Sequence, residues 1–241
     1  MQDDFQPGID SLEELDGVTP PIFRRVLLAA GDDSTWSDAV ALSRALAGQA
    51  EAVTVADAAD LIVIGSGPEA TPGRTGLDRA GEKLVEGARC PVAVAPRGLA
   101  GRDDYELRRI DVGIDGSREA AAALTVAAHL ARAHDARLRL VAVAELGFDL
   151  GGAPRPPDPR EVERLGRHLD NAGDGLPGIW VEAYLREGSA DQILIGLSRE
   201  ADLLVLGSQA AYGDGGHVSL GEAATRILRA AACPTLVVPA P

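Results

Sequence analysis

A pattern of strand, Gly-Ser, variable loop, helix, Cys-Pro and strand occurs twice in this chain, and this repeat most constrains the fold. The first copy spans residues 60–96 and the second spans residues 202–239. Each copy alternates short apolar runs with a helical pattern, which is typical of βαβ units in a parallel sheet. The repeat therefore predicts two copies of one α/β domain.

The two copies differ in length. Matching residues are 84 positions apart at Arg24 and Arg108 but 142 apart at Asp60 and Asp202, so the first copy lacks about 58 residues. That loss corresponds to roughly one strand, two helices and their connections. The predicted organisation is an acidic N-terminal tail (1–23), a truncated domain (24–97), a linker (98–107) and a complete domain (108–241).

The other elements follow from apolar periodicity and capping signals. Ser117 and Ser189 are predicted to cap helices, and the Pro- and Gly-rich segment 147–157 is predicted to be a loop. Predicted strands are 24–30, 60–66, 92–95, 138–144, 179–185, 203–206 and 235–238, and predicted helices are 36–47, 78–86, 118–134 and 159–171.

The short piece Glu51 to Val55 leaves alternatives open. Only a few residues separate it from the strand that begins near Leu61. A parallel crossover usually needs about ten residues or more. The piece is therefore an edge strand, an antiparallel strand or a connection without sheet pairing.

Charge and hydropathy exclude several classes of protein. The net charge of −14 disfavours a nucleic-acid or anionic-membrane surface, because contact with phosphate needs basic patches. No run of eighteen apolar residues and no secretory leader is found, so we expect a cytoplasmic protein. The tail contributes acidic residues without any Lys or Arg before residue 24: Asp3, Asp4, Asp10, Glu13, Glu14 and Asp16.

The two cysteines, Cys90 and Cys233, lie at equivalent places in the two copies, each before a proline and an apolar strand. Further ligands nearby would be needed for a metal site. Both are predicted to be buried free thiols.

In order and spacing, these segments resemble the universal stress protein family, as a tandem member whose first domain is shortened. The segments that carry the resemblance are 112–117, 186–189, 202–208 and 233–238. The resemblance implies an α/β fold of two open parallel-sheet sandwich domains with strand order 3-2-1-4-5, like the adenine nucleotide alpha hydrolases. It also implies that strands 92–95 and 235–238 pair antiparallel, forming an internal pseudo-dimer, and it leaves a homodimer open.

Nucleotide-binding members of that family place ATP at the switch point between strands 1 and 4, as open α/β sheets generally do. Phosphates are held there by glycine-lined N–H groups and a helix N-terminus. Carried over to this chain, the nucleotide-binding positions are Asp115, Val143, Gly207, Ser208 and Gly221.

The second copy departs from the family pattern of Gly, two residues, Gly, nine residues, then Gly and Ser or Thr. Ala210 stands at the second glycine, the loop is one residue longer, and Glu222 follows the third glycine. A carboxylate at a helix start is stabilised by the helix dipole, by about 0.3–1 kcal/mol, and it repels a phosphate at short range. The phosphate-binding part of the motif is therefore predicted to be degraded.

The first copy departs further. Gly31 replaces the strand-1 Asp, Pro68 removes a backbone donor at the second glycine, and Asp78 and Arg79 stand at the third glycine and the Ser. This copy is predicted to bind no ATP and to stabilise its neighbour. Arg74 and Arg79 are predicted to be solvated rather than to hold an anion.

The remaining polar residues carry weaker signals. His217 is predicted to be an exposed loop residue, and Asp214 is the only acid near the loop that we can offer for a metal-dependent ATP hydrolase. His129, His134 and His168 are predicted at the surface or at the boundary of the core. No catalytic residue and no metal site is predicted.

The sequence therefore favours a non-enzymatic regulatory or interaction module with degraded ATP-binding motifs, an unknown protein partner and no required cofactor. Two alternatives remain open at this point. One is an ATP-binding stress protein that uses only the second domain, with ATP as its ligand. The other is a slow ATP hydrolase.

Overall fold

The computed structural model describes residues 22–29, 33–148, 153–208 and 218–239. The strands are β1 (Arg25–Ala29), β2 (Glu51–Val53), β3 (Leu61–Gly65), β4 (Val92–Ala95), β5 (Arg109–Gly113), β6 (Arg137–Ala144), β7 (Gly147–Phe148), β8 (Pro154–Arg155), β9 (Val181–Glu187), β10 (Leu203–Gly207) and β11 (Thr235–Val238). The helices are α1 (Asp33–Ala47), α2 (Arg79–Val85), α3 (Arg118–His134), α4 (Pro159–Asp174), α5 (Ala190–Leu197) and α6 (Glu222–Leu228).

A nine-stranded sheet runs through the described residues in the order β2-β1-β3-β4-β11-β10-β5-β6-β9. Neighbouring strands are parallel except at the centre, where β4 and β11 pair antiparallel with Ala93 opposite Leu236. The second-copy strands, β9-β6-β5-β10-β11, follow the expected order 3-2-1-4-5, and the predicted antiparallel seam is present. The β2-β1-β3-β4 half lacks the third strand of that order, which is compatible with a shortened copy.

Helices cover both faces of the sheet, and the core has a layer on each face. One layer places α1, α3 and α4 on the sheet through residues such as Leu42, Leu130 and Leu165. On the opposite face, Val85 of α2 and Leu228 of α6 pack onto the first-copy strands and the seam. Leu194 of α5 packs beside Ile227 over the second copy. Burial on both faces explains why β3, β4, β10 and β11 read as continuous apolar runs.

Strand β2 is an edge strand paired parallel to β1, with Glu51 opposite Arg25. The edge-strand alternative is therefore confirmed, whereas the antiparallel and unpaired alternatives are wrong. The expected minimum crossover length does not apply here, because β2 is short and ends level with Leu27, while β3 begins beside Val26. The connection therefore crosses β1 with almost no return along the strand direction.

Two smaller differences from the sequence predictions lie in the loop 147–157 and at the end of the tail. The predicted loop 147–157 contains the short antiparallel pair β7–β8. Ile22 and Phe23, assigned to the tail, instead pack onto the core, and Phe23 is buried. Residues 1–21, with the acidic side chains of the tail, lie outside the described part.

Candidate functional site

The carboxyl ends of β5, β6 and β10 meet at one edge of the sheet, and four of the five expected nucleotide-binding residues lie there. Asp115 follows β5, Val143 is near the end of β6, and Gly207 and Ser208 close β10. The fifth, Gly221, is the N-cap residue of α6 and has no side chain of its own to cap the helix. This edge is the switch point at which an open α/β sheet leaves a crevice.

Asp115 forms the turn between β5 and α3. Its exposed carboxylate accepts the Ser117 N–H at 2.8 Å, and its carbonyl accepts a hydrogen bond from the Arg164 guanidinium at 3.2 Å. Ser117 then caps α3, as predicted, by accepting the Ala120 N–H at 3.0 Å. Part of the hydrogen-bonding capacity of Asp115 is therefore used within the turn itself.

His168 of α4 reaches the same turn, although no pattern in the sequence places it there. Gly116 has φ of 84°, and a Cβ atom on it would lie 2.5 Å from His168 Cδ2. Desolvation lowers the pKa of His168, and the positive charges of Arg164 and Arg167 lower it further. The expected boundary position is confirmed, since His168 is partly buried.

Gly207, the first glycine of the phosphate motif, has a structural role. A Cβ atom on it would lie 2.5–2.8 Å from backbone atoms of Glu119 and Ala120 in the first turn of α3. Gly65 occupies the equivalent place in the first copy, where a Cβ atom would lie 2.7 Å from the carbonyl carbon of Thr35 in α1. Both glycines therefore permit close approach between a strand end and a helix start.

The serines after these glycines differ between the copies. Ser66 is buried, donates a hydrogen bond to the Ala95 carbonyl at 2.5 Å and accepts one from the Gly76 N–H at 2.9 Å. Ser208 is also buried, and its Oγ atom has no hydrogen-bond partner within the described residues. A buried hydroxyl without a partner is unusual, so among the described residues of the candidate site Ser208 stands out as having hydrogen-bonding capacity left over.

A chain of ion pairs joins the starts of α5 and α6. Arg226 pairs with Glu222 one turn earlier and with Asp191 at 3.0 Å. The Glu222 side chain is 82% exposed, whereas that of Asp191 is 8% exposed. The pKa of Asp191 is lowered mainly by its hydrogen bond from Ser189. Burial acts in the opposite direction, and the hydrogen bond from Arg226 lowers the pKa further. Ser189 is the N-cap residue of α5, as predicted, but its hydroxyl donates to Asp191 rather than capping the helix.

The first-copy loop is closed by its own hydrogen bonds. Arg97 donates to the carbonyls of Pro68 and Ala70 at 2.6 and 3.0 Å. Asp78 caps α2 by accepting the Gly81 N–H at 2.7 Å. Arg74 is not simply solvated as expected, because its guanidinium donates to the Ala230 carbonyl at 2.5 Å, beyond the end of α6.

Each glycine-rich loop contacts the helix end of the other half. In the first loop, Thr75 donates its N–H to the Ala231 carbonyl at 2.8 Å, just after α6. In the second, Val218 donates to the Ala88 carbonyl and accepts from the Gly87 N–H, just after α2. These reciprocal backbone bonds tie each loop to the segment that follows the helix of the other half.

Several sequence-predicted residues lie outside the described part of the chain: Gly31, Ala210, Asp214 and His217. Within the described ranges, no group of three or more His, Cys, Asp or Glu side chains could hold a metal ion. Among those same residues, no helix combines the length and apolarity that crossing a membrane requires.

Both cysteines are buried free thiols, as predicted. Burial raises the pKa of Cys90 to about 11 and also raises the pKa of Cys233. Because the thiolate is the reactive form, we expect neither thiol of the native protein to react with an aromatic disulfide reagent at mildly alkaline pH. Both should react after denaturation, as followed by absorbance. Reaction of the native protein at the rate of a free thiol would contradict this prediction.

Comparison with known proteins gives a consistent result. The model of the universal stress protein family matches residues 106–239. The curated universal stress protein Rv2624c of Mycobacterium tuberculosis is 29% identical in a 150-residue alignment that covers 58% of this chain and 51% of that protein. The chain thus spans about half the length of this relative.

Two solved structures share the fold over most of the chain. A universal stress protein from Archaeoglobus fulgidus has a TM-score of 0.59 at 16% identity, covering 89% of this chain and 87% of that chain. A putative universal stress protein from Pseudomonas aeruginosa also has a TM-score of 0.59 at 16% identity, covering 90% and 94%. At this identity the likeness shows the fold alone.

Proposed function

We propose that this chain, which belongs to the universal stress protein family, is a non-enzymatic regulatory or interaction module whose ATP-binding motifs are degraded. The observation that carries the proposal is Glu222, a carboxylate in the first turn of α6 that Arg226 holds in an ion pair. By resemblance, this position would carry a Ser or Thr beside the phosphates.

The charge of Glu222 opposes a phosphate in two ways. Its carboxylate already lies near the positive end of the helix dipole, where an anion is stabilised by about 0.3–1 kcal/mol. A phosphate at the same place would face repulsion at short range. Arg226 does not offset this fully, because it also pairs with Asp191 and the three side chains together carry one net negative charge.

The first half supports the same proposal from another direction. Its loop is closed by Arg97 and docked onto the end of α6 by Arg74 and Thr75. The Asp78 carboxylate accepts the Gly81 N–H at the start of α2, where a ligand anion would otherwise bind. Through these contacts the first half can stabilise the second. The loop forms its hydrogen bonds with protein groups and not around a ligand.

A second candidate function is adenine-nucleotide binding by the second half alone. Two observations favour it: the Ser208 Oγ atom is buried without a partner among the described residues, and the largely exposed Glu222 side chain is drawn toward Arg226. A ligand hydroxyl or phosphate oxygen could satisfy Ser208. Asp115 and Val143 would then contact the nucleoside.

Calorimetric titration of Mg²⁺–ATP into the purified protein, first freed of any carried-over nucleotide, tests the proposal. We expect no binding heat for the wild-type chain and measurable binding for Glu222→Ser, because that substitution removes the repulsive carboxylate. Glu161→Ser, which makes the same change in the first turn of α4, is the matched control and should not bind.

Micromolar binding by the wild-type chain, lost on Asp115→Ala, would overturn the proposal in favour of the second candidate. Circular dichroism of each variant shows whether a loss of binding reflects the site rather than the fold. Nucleotide recovered by chromatography after heat release from the wild-type protein would also count against a degraded site.

A further inference from the structure

A pocket of about 350 Å³ opens at the amino ends of β6 and β9. This is the opposite edge of the sheet from the candidate nucleotide site. Its main lining residues come from the end of α3 and from the residues that enter the two strands: Arg132, Asp135, Arg137, Gly178, Ile179 and Trp180. The volume is within the range of small-molecule sites.

Trp180 is 65% exposed. This exposure is notable in a chain that has only two tryptophans and 3% aromatic residues. The backbone of Trp180 is held beside β6, because its carbonyl accepts the Leu138 N–H at 2.9 Å. The Arg137 guanidinium lies 5.4 Å from the centroid of its ring, within the range of a cation–π contact. The indole is thus an open aromatic surface with a cation beside it.

Arg132 of α3 also lines the pocket, and its guanidinium is incompletely hydrogen-bonded by the described residues. Its Nη2 atom lies 3.5 Å from the Pro177 carbonyl, which is a long contact, and its Nη1 atom is buried with no partner in the described part of the chain. A buried cationic N–H without an acceptor is costly. A carboxylate in the pocket would pair with this guanidinium more strongly than the long contact to the neutral Pro177 carbonyl does, because a hydrogen bond between two charged groups is shorter and stronger.

The charge of the lining is consistent with an anionic ligand. Arg132 and Arg137 face a single acid, Asp135, so the lining is net positive in a chain whose net charge is −14. The backbone of Asp135 ends α3, with its N–H bonded to the Ala131 carbonyl.

We propose that this pocket binds a small aromatic carboxylate. The carboxylate pairs with Arg132, and the ring stacks on Trp180 beside Arg137. Because the pocket lies at the opposite edge of the sheet, the proposal goes beyond the proposed function and does not depend on it.

Titration with benzoate tests the proposal through the fluorescence of Trp180. The Trp36→Phe background leaves Trp180 as the only tryptophan. We expect a saturable change in fluorescence with benzoate and none with benzamide, its neutral analogue. Arg132→Gln should weaken binding by about tenfold or more, because a hydrogen bond to a charged group is lost. Arg160→Gln, at the far end of α4, should leave binding unchanged.

Circular dichroism and the thermal midpoint establish that each variant is folded. Trp180→Leu, followed by calorimetry, gives a second readout and should also weaken binding. The proposal is overturned if benzoate gives no saturable signal, if benzamide binds equally well, or if a folded Arg132→Gln variant keeps the wild-type affinity.

Discussion

Replacing Arg139 by Met is expected to lower the free energy of unfolding by about 3–5 kcal/mol, because it leaves the Asp111 carboxylate buried without its cation. Asp111 and Arg139 face each other on β5 and β6, and two hydrogen bonds of 2.8 and 2.5 Å join them. Their side chains are 0% and 5% exposed. Arg139 also donates to the carbonyl of Leu197, the last residue of α5, at 3.1 Å.

The destabilisation should depend on pH in a definite direction. Burial raises the pKa of Asp111 even with Arg139 present, while the hydrogen bonds and charge of Arg139 oppose that shift. Without Arg139 the pKa of the folded state rises further above the unfolded value. The folded state then holds a proton that the unfolded state loses, so stability falls as pH rises between the two values. The difference in the free energy of unfolding between the Arg139→Met variant and the wild type should therefore become smaller toward acidic pH.

Urea unfolding at neutral and acidic pH measures both effects. Arg109→Met is the matched control, since Arg109 lies on the neighbouring strand in a partly exposed pair with Glu200 at 3.8 Å and should cost less than about 1 kcal/mol. The double variant Asp111→Leu with Arg139→Met should recover much of the loss, because no buried charge remains. A double variant no more stable than the single one would contradict this account.

Gly207→Ala is expected to lower the free energy of unfolding by about 1–3 kcal/mol in the absence of any ligand. The added methyl group would lie within 2.8 Å of the backbone of Glu119 and Ala120. A backbone neighbour cannot turn aside as a flexible side chain can, so β10 and α3 must separate. Thermal unfolding followed by circular dichroism measures the change.

Gly196→Ala in α5 is the control, because no described atom lies within 4 Å of the place that its Cβ would take. It should stabilise the protein by roughly 0.5–1 kcal/mol, since alanine favours the helix. If Gly207→Ala were as stable as wild type, the glycine would have no packing role and its position in the phosphate motif would need a ligand to explain it.

The strands are the most predictable part of the fold. Residues 92–95 and 235–238 form strands at the predicted positions, because a buried parallel strand needs a continuous apolar run with a clear stop such as proline. The direction of β2 is not predictable, since it depends on where the short strand ends relative to β1 and β3. The pairing of Asp111 with Arg139 is not predictable either, because it depends on the register of two strands that the sequence does not specify.

The candidate site is predictable where residues follow strands directly. Asp115, Gly207 and Ser208 lie at the edge of the sheet that their positions after apolar runs indicate. Contacts made by helices far along the chain are not predictable. His168 reaches Gly116 only because α4 lies across the sheet, and Arg226 reaches Asp191 only because α5 and α6 lie side by side.

The reciprocal contacts across the antiparallel seam form within one chain, so their formation does not depend on protein concentration. In a dimer of separate chains, such contacts are lost on dilution, and stability depends on how many protomers meet. Here both loops and both helix ends belong to one chain, so the effective concentration of each for the other is set by the covalent connection. A substitution at Thr75 or Val218 therefore changes the contact on one side of the seam alone. In a symmetric dimer, the same substitution would change both sides.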